Sequence, residues 1–275
     1  MDEFKDKVAI VTGGGSGIGQ ALCQELGQGG AIVVVASLHD DHATRVASAI
    51  MQNGGRAHAV SVDVSNEEGV RQLIDETVSE YGQLDYLFNN AGVAIFGDAR
   101  DLTLEQWRHE FEVNLYGVLY GTVFAYPIMV RQGFGHIVNT ASGVGLLPFP
   151  LGAPYGTSKY AIVGLSLSLR LEGADLGVKV SAVCPGYVQT NLYQAMTTAN
   201  LPREQMDKQL AQAIKVVDAS QAARTILRGV LRNQAIIIFP AGMRLYWRVY
   251  RLFPRLIDHI LVRQVRTLRK YRLNP

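Results

Sequence analysis

What this chain has little of narrows its class before any motif is read. Among its 275 residues only two are cysteine, Cys23 and Cys184, far apart in the sequence. That excludes a disulfide-built scaffold and a cysteine-based metal cluster, and both thiols read as small buried hydrophobes in a reducing compartment. No Pro/Gly/Ser linker, low-complexity tract or internal repeat divides the chain, so one domain is expected, with a body at 1–240 and an extension at 241–275. Charged residues make up 18% and hydrophobic residues 48%, a balance that excludes bulk disorder. The opening segment, Met1 to Lys7, has neither the basic start nor the apolar middle of a signal peptide, so a cytoplasmic protein is expected. Long uncharged runs are scarce too. One, Val113 to Val130, is eighteen residues without a formal charge, near the length of a membrane span. Asn114, Gly117, Gly121 and Pro127 interrupt it and Arg131 closes it, so it is expected to be a helix buried against a sheet.

What is present is an alternation of apolar runs and helical stretches, the pattern of βαβ units around a parallel sheet. Seven strand candidates are Val8–Val11, Ile32–Ala36, Ala57–Val62, Leu84–Phe88, Gly135–Asn139, Val178–Val183 and Ala235–Phe239. Helices are expected between them, among them Ala21–Leu26 and Ala43–Met51.

The first strand runs into Thr12-Gly13-Gly14-Gly15-Ser16-Gly17-Ile18-Gly19. Glycines at a strand-to-helix junction let the backbone approach a pyrophosphate, whose charge meets N–H groups at the helix N-terminus. Asp63, followed by Val64 past the third strand, is placed to accept a hydrogen bond from an adenine amino group, or equally to start a helix turn. Asn89-Asn90-Ala91-Gly92 follows the fourth strand, at the sheet end where such folds bind ligands. Finally come Ser142 and, on one helix, Tyr155 and Lys159. Positions i and i+4 share a helix face, so phenol and ammonium address the same point. Free tyrosine titrates at about 10, too high for neutral acid–base work. A neighbouring cation favours the phenolate, and a drop of two to three units needs about 3–4 kcal/mol.

In this order and spacing the motifs resemble the short-chain dehydrogenase/reductase family over residues 6 to about 240. The family's Thr-Gly-x-x-x-Gly-x-Gly falls on Thr12, Gly13, Gly17 and Gly19, with Asn114 in Asn-Leu-Tyr-Gly and Ser142 thirteen residues before Tyr155. The resemblance implies a doubly wound Rossmann α/β fold: a seven-stranded parallel sheet, helices on both faces and a C-terminal helical extension. It implies that Tyr155 exchanges a proton with an alcohol or carbonyl oxygen, that Lys159 lowers the phenol's pKa and binds the nicotinamide ribose, and that Ser142 holds the substrate oxygen. Asn114 would hold a helix distortion and a water linking Lys159 to solvent. Gly13, Gly15, Ser16, Gly17, Ile18, Gly19, Ser37, Asp63, Val64, Asn90, Ala91, Gly92, Tyr155, Lys159, Pro185, Gly186, Val188 and Thr190 would hold the dinucleotide. A homodimer or homotetramer is implied, and no metal is. A rival reading, a dinucleotide-binding regulatory or scaffold protein, would be expected to have lost one of the four groups Asn114, Ser142, Tyr155 and Lys159. All four are here.

The second strand ends at Ser37, where NAD-preferring members carry an acid that repels a 2′-phosphate. NADP is therefore favoured over NAD. The usual arginine of NADP-preferring members is missing, since Leu38 and Ser16 stand in its places, and His39, His42 or Arg45 is left to replace it. The expected substrate-facing segments, Val93–Phe96, Val144–Leu151 and Tyr187–Tyr193, hold no lysine or arginine. That points to a hydrophobic alcohol, ketone or aldehyde. Residues 241–275 carry nine basic side chains and one acid, a net of +8 that leaves −6 for the rest. Arginines there alternate with apolar residues at helical spacing, interrupted by Pro254. Two readings stay open: a helix on an anionic membrane, and an extension packed over the substrate loop or a neighbouring subunit. Nucleic acid is not expected as a partner, since the body is acidic and no recognition motif occurs.

Overall fold

The computed structural model describes residues 3–190, 192, 195–205 and 216–273. Seven strands form one parallel sheet: β1 (Val8–Thr12), β2 (Ile32–Ser37), β3 (Arg56–Ser61), β4 (Tyr86–Asn89), β6 (Gly135–Thr140), β7 (Val178–Pro185) and β9 (Ile236–Phe239). Their order is β3-β2-β1-β4-β6-β7-β9, so the winding reverses between β1 and β4. Ligands in such sheets bind beyond the C-terminal strand ends at that reversal. β1 is buried at every position, as a strand covered by helices on both faces must be.

Two cores lie on opposite faces. On one, α1 (Gly17–Gln28), α2 (Asp40–Gln52) and α7 (Ala219–Leu231) bury Leu22, Leu26, Val46 and Ile226 against Val33, Val35 and Val183. On the other, α3 (Glu67–Tyr81) and α5 (Gly117–Gln132) bury Leu73, Ile74 and Met129 against Ile10, Val34, Leu87 and Ile137. α6 (Ala153–Glu172), which carries Tyr155 and Lys159, packs Ile162 and Val163 with Ala182 and Cys184 of β7. α4 (Leu104–Phe111), a π-helical turn at Glu112–Tyr116 and α5 form one continuous helix, long and apolar enough by composition to cross a membrane. Here it lies on the sheet. A Cβ at Gly121 would come within 2.2 Å of Asn89 Oδ1 in β4.

Two short strands, β5 (Ile95–Gly97) and β8 (Thr197–Ala199), pair in a separate parallel ribbon beside the site. α8 (Ala241–Leu252) and α9 (Pro254–Arg269) form the C-terminal extension. α9 is fixed at its far end. Arg269 donates to Asp98 Oδ2 at 2.6 Å, and Arg272 just beyond the helix clamps both carboxylate oxygens of Asp101, at 2.6 and 3.0 Å.

Candidate active site

The C-terminal ends of β1, β2, β4, β6 and β7 open into one cleft of about 740 Å³. Most of the residues singled out in the sequence line it: Gly13, Ser16, Gly17, Ile18, Ser37, Asp63, Val64, Asn90, Ala91, Gly92, Ser142, Tyr155, Lys159, Pro185, Gly186, Val188 and Thr190. Gly15, Gly19 and Asn114 are buried residues behind this lining. Asn191 and Tyr193 lie outside the described residues.

Backbone chemistry at one end of the cleft suits a pyrophosphate. Gly13 has φ +64, and a Cβ on it would stand 2.9 Å from Ala91 Cα. A Cβ on Gly19 would meet the Gly13 carbonyl oxygen at 2.2 Å. Only glycine lets the turn fold this tightly onto α1. Ser16 precedes α1 as its N-cap in an extended conformation, and its side chain makes no capping hydrogen bond, so the N-terminal N–H groups face the cleft without that internal acceptor. Thr12 Oγ1 accepts from the N–H groups of Asn90 (2.9 Å) and Ala91 (3.1 Å), tying the glycine turn to the loop after β4. Asp63 Oδ1 accepts from Ser65 N (2.9 Å) and Ser65 Oγ (2.7 Å), so it makes a helix-start turn while it also lines the cleft. Near Ser37, His39 and His42 stand edge to face 5.2 Å apart, and Arg45 donates to the Gly15 carbonyl at 3.0 Å.

The other end is dry and reactive in composition. Tyr155, Ser142 and Lys159 are 6, 8 and 4% exposed. The Ser142 side chain acts on the Tyr155 phenol, drawing its pKa down. Ser142 also caps a short 3₁₀ turn at Gly143–Gly145, accepting from Val144 N at 3.3 Å. Lys159 Nζ donates to the Thr140 carbonyl at 3.0 Å and lies 5.6 Å from the centre of the Tyr155 ring. Burial pushes the Tyr155 phenol above its ordinary value, the nearby Ser142 side chain draws it back in part, and Glu110 adds to the rise. The lowering expected from Lys159 is therefore outweighed here, because desolvation disfavours the phenolate. Burial brings the Lys159 ammonium down to about 8, against the pull of Glu110.

Glu110 is the residue that sequence reading missed. It is fully buried, 0% exposed, with Oε2 accepting from Ile95 N at 2.9 Å and Oε1 accepting from Asn114 Nδ2. Burial raises its carboxyl to about 8, opposed first by Lys159. Asn114 sits in the π-helical turn, of a kind frequent at functional sites. Its side chain pairs with Val93 in both directions, Oδ1 accepting from N and Nδ2 donating to O, each at 2.9 Å. Asn114 Oδ1 and Lys159 Nζ lie 2.9 and 3.7 Å from the point where a Gly92 Cβ would stand. Glu110, Asn114 and Lys159 thus form one buried polar group beneath Tyr155. An acid one turn before Asn114 on an amphipathic helix reads as solvated, and no sequence signal separated it from Glu105 or Glu112.

Beside Tyr155 an apolar cluster gathers Ala94, Phe96, Leu151, Met196, Leu201 and Leu268, with Val144, Phe149, Leu192 and Val265 packed against it. Phe96 and Phe149 meet the Tyr155 ring edge to face at 5.7 and 6.4 Å. Leu268 and Val265 belong to α9, so the C-terminal extension helps wall this side.

A family model described as short chain dehydrogenase matches residues 7–201, which span the glycine turn, Asn114, Ser142, Tyr155 and Lys159. The chain belongs to the short chain dehydrogenase family. It is 35% identical to a cyclohexanol dehydrogenase of Acinetobacter sp. (strain SE19) over 201 residues, 73% of this chain and 80% of that one. It is 36% identical to a meso-2,3-butanediol dehydrogenase of Serratia marcescens over 205 residues, 74% of this chain and 78% of the relative. A short chain dehydrogenase/reductase from Burkholderia phymatum, solved in complex with NAD, superposes with a TM-score of 0.85 at 30% identity, covering 93% of this chain and 96% of the other. This short chain dehydrogenase is accordingly an oxidoreductase with a Rossmann-type seven-stranded sheet.

Proposed function

We propose that this short chain dehydrogenase moves a hydride between NAD(P)(H) and the alcohol or carbonyl carbon of an apolar substrate, with Tyr155 as general acid and base. The observation that carries this reading is the meeting of Ser142, Tyr155 and Lys159 in the same cleft as the glycine turn. The dehydrogenase names of the two relatives and the NAD in the structural neighbour support the reaction class.

The residues present fit a dinucleotide. The turn at Gly13–Gly19 and the N-terminus of α1 would hold its pyrophosphate, Asp63 and Val64 its adenine, and Asn90–Gly92, Tyr155, Lys159, Pro185, Gly186, Val188 and Thr190 its nicotinamide half. When bound, the nicotinamide ring supplies the hydride chemistry. In alcohol oxidation Tyr155 takes the hydroxyl proton; in carbonyl reduction it returns one. Ser142 steadies the substrate oxygen as charge develops there. Lys159 supplies a nearby positive charge, which with that of an oxidised nicotinamide favours the phenolate against the burial penalty. Glu110 is a positioning residue: through Asn114 it orients the loop at Val93, and when ionised it supports the Lys159 ammonium against burial.

NADP(H) is the favoured cofactor. Ser37 presents a hydroxyl in place of a repelling acid, and His39, His42 and Arg45 stand around it. Comparing kcat/KM for the two cofactors tests this, and a tenfold preference for NAD(H) overturns it. The substrate is apolar because the cluster around Tyr155 is aliphatic and aromatic, and the only lysine or arginine lining the cleft among the described residues is Lys159. A screen of hydrophobic ketones, aldehydes and secondary alcohols, followed by reduced-nicotinamide absorbance, tests the whole reading; turnover confined to sugar phosphates or charged hydroxy acids contradicts it.

A further inference from the structure

The corner between α8 and α9 carries an unusual surface. Leu252, Phe253, Leu256 and Ile260 are 72, 60, 57 and 44% exposed, and they are adjacent in sequence or separated by three or four residues around one helical bend. The inner side of α9 is a different stripe, the buried Ile257 and Leu268 with the half-buried Leu261 and Val265 between them, at spacings of four, four and three. Arg248, Arg255, Arg263 and Arg266 rim this apolar tip; all four are exposed and none forms an ion pair among the described residues. Asp258 is the only acid in the segment. By contrast Arg269 and Arg272, at the opposite end, are neutralised by Asp98 and Asp101.

We propose that this corner docks the enzyme on an anionic lipid bilayer, the apolar side chains entering the interface and the unneutralised arginines meeting the headgroups. Exposed aliphatic and aromatic side chains beside unpaired cations are the composition that binds such a surface. A second copy of the chain is the poorer occupant, because a two-fold interface would set these arginines against their own copies. The −6 balance of residues 1–240 turns the rest of the molecule away from the same membrane. The docked corner also has a consequence for catalysis. Leu256 and Leu268 are twelve residues apart on α9, about 18 Å along the helix, and Leu268 packs in the cluster holding Tyr155. Docking by the corner therefore brings the apolar end of the cleft near the lipid that stores apolar substrates.

The test uses the full chain and vesicles of phosphatidylcholine alone or with phosphatidylserine, read by flotation at low and high salt. The wild-type protein is expected to float with the anionic vesicles, to stay behind with the neutral ones and to be released by salt. The pair Phe253→Glu and Leu256→Glu, and separately Arg255→Gln with Arg263→Gln, are each expected to weaken binding at least about tenfold. Activity on a water-soluble alcohol, melting temperature and mass by light scattering should be unchanged. Leu171→Glu, at an exposed leucine elsewhere on the surface (78%), should bind as the wild type does. Absence of anionic-vesicle binding, or binding indifferent to both corner variants, overturns the proposal. So does a smaller assembly on introducing the two glutamates, which would make the corner a contact between copies.

Discussion

Glu110→Gln removes the carboxylate while keeping its size, and its effect follows from the buried group around Asn114. Lys159 titrates at about 8 because burial disfavours its ammonium and Glu110 supports it. The Glu110 carboxyl is itself raised to about 8 by burial, so it becomes an anion, and supports the ammonium, as pH rises toward that value. Without it the Lys159 ammonium should titrate lower, and a neutral lysine no longer assists Tyr155, so the alkaline limb of kcat/KM for alcohol oxidation should move down. Each pKa unit of that displacement is about 1.4 kcal/mol, or up to about tenfold in rate on the limb. Near pH 5, where Glu110 is protonated, the two enzymes should be similar, and the difference should open as pH approaches 8. Stability should respond differently. The folded-state pKa of Glu110 is raised from 4.5 to about 8, so its contribution favours folding at low pH and is lost as pH rises through that window. The glutamine has no such loss, but its single oxygen cannot accept from both Ile95 N and Asn114 Nδ2, a cost of about 1–3 kcal/mol at every pH. The melting-temperature deficit of the variant should thus shrink between pH 5 and 8. An alkaline limb that stays in place in Glu110→Gln would refute the coupling of Glu110 to Lys159.

Other outcomes follow from the same geometry. Gly19→Ala drives a Cβ to 2.2 Å from the Gly13 carbonyl; it should abolish dinucleotide binding by titration fluorescence and lower the melting temperature, and an alanine variant that binds normally would contradict the turn's role. Ser37→Asp should raise kcat/KM for NAD(H) relative to NADP(H) by at least about tenfold, through repulsion of a 2′-phosphate. Asp98→Asn should loosen the end of α9 and raise KM for apolar substrates more than it changes kcat. Burial pushes the Asp98 pKa up, but Arg269 and Arg100 bring it below its ordinary value overall, so the wild-type advantage in melting temperature should be present above about pH 4 and fade as pH falls below that. Cys23 is fully buried and Cys184 is pushed up to about 12 by burial, so neither should react with a thiol reagent until the protein unfolds.

Much of the fold was legible because the seven central strands are apolar runs broken by glycine, charge or helix-cap residues. Their ends shifted where ladder partners decide them: β4 begins at Tyr86 rather than Leu84, beside Ala9 of β1, and β7 runs on to Pro185, beside Phe239 of β9. The ribbon of β5 and β8 could not be read. Each strand has three residues, too few to show alternation, and their pairing spans about a hundred residues of chain. The lining of the cleft was legible from motif residues at strand ends. The electrostatics were not: a neighbouring lysine suggested a lowered Tyr155, whereas burial of the pair raises it. Glu110 stayed hidden because its burial depends on Val93, Ile95 and Asn114 coming together, which no helical periodicity records.

The most direct test of the central claim is Tyr155→Phe, with cofactor affinity and turnover measured on the same preparation. Removing one hydroxyl leaves the ring's edge-to-face contacts with Phe96 and Phe149 in place, so cofactor binding should remain within about twofold. Turnover should fall by about 10²–10⁴, the range of a lost general acid–base group. A Tyr155→Phe enzyme that binds cofactor and turns over its substrate at the wild-type rate would contradict the account.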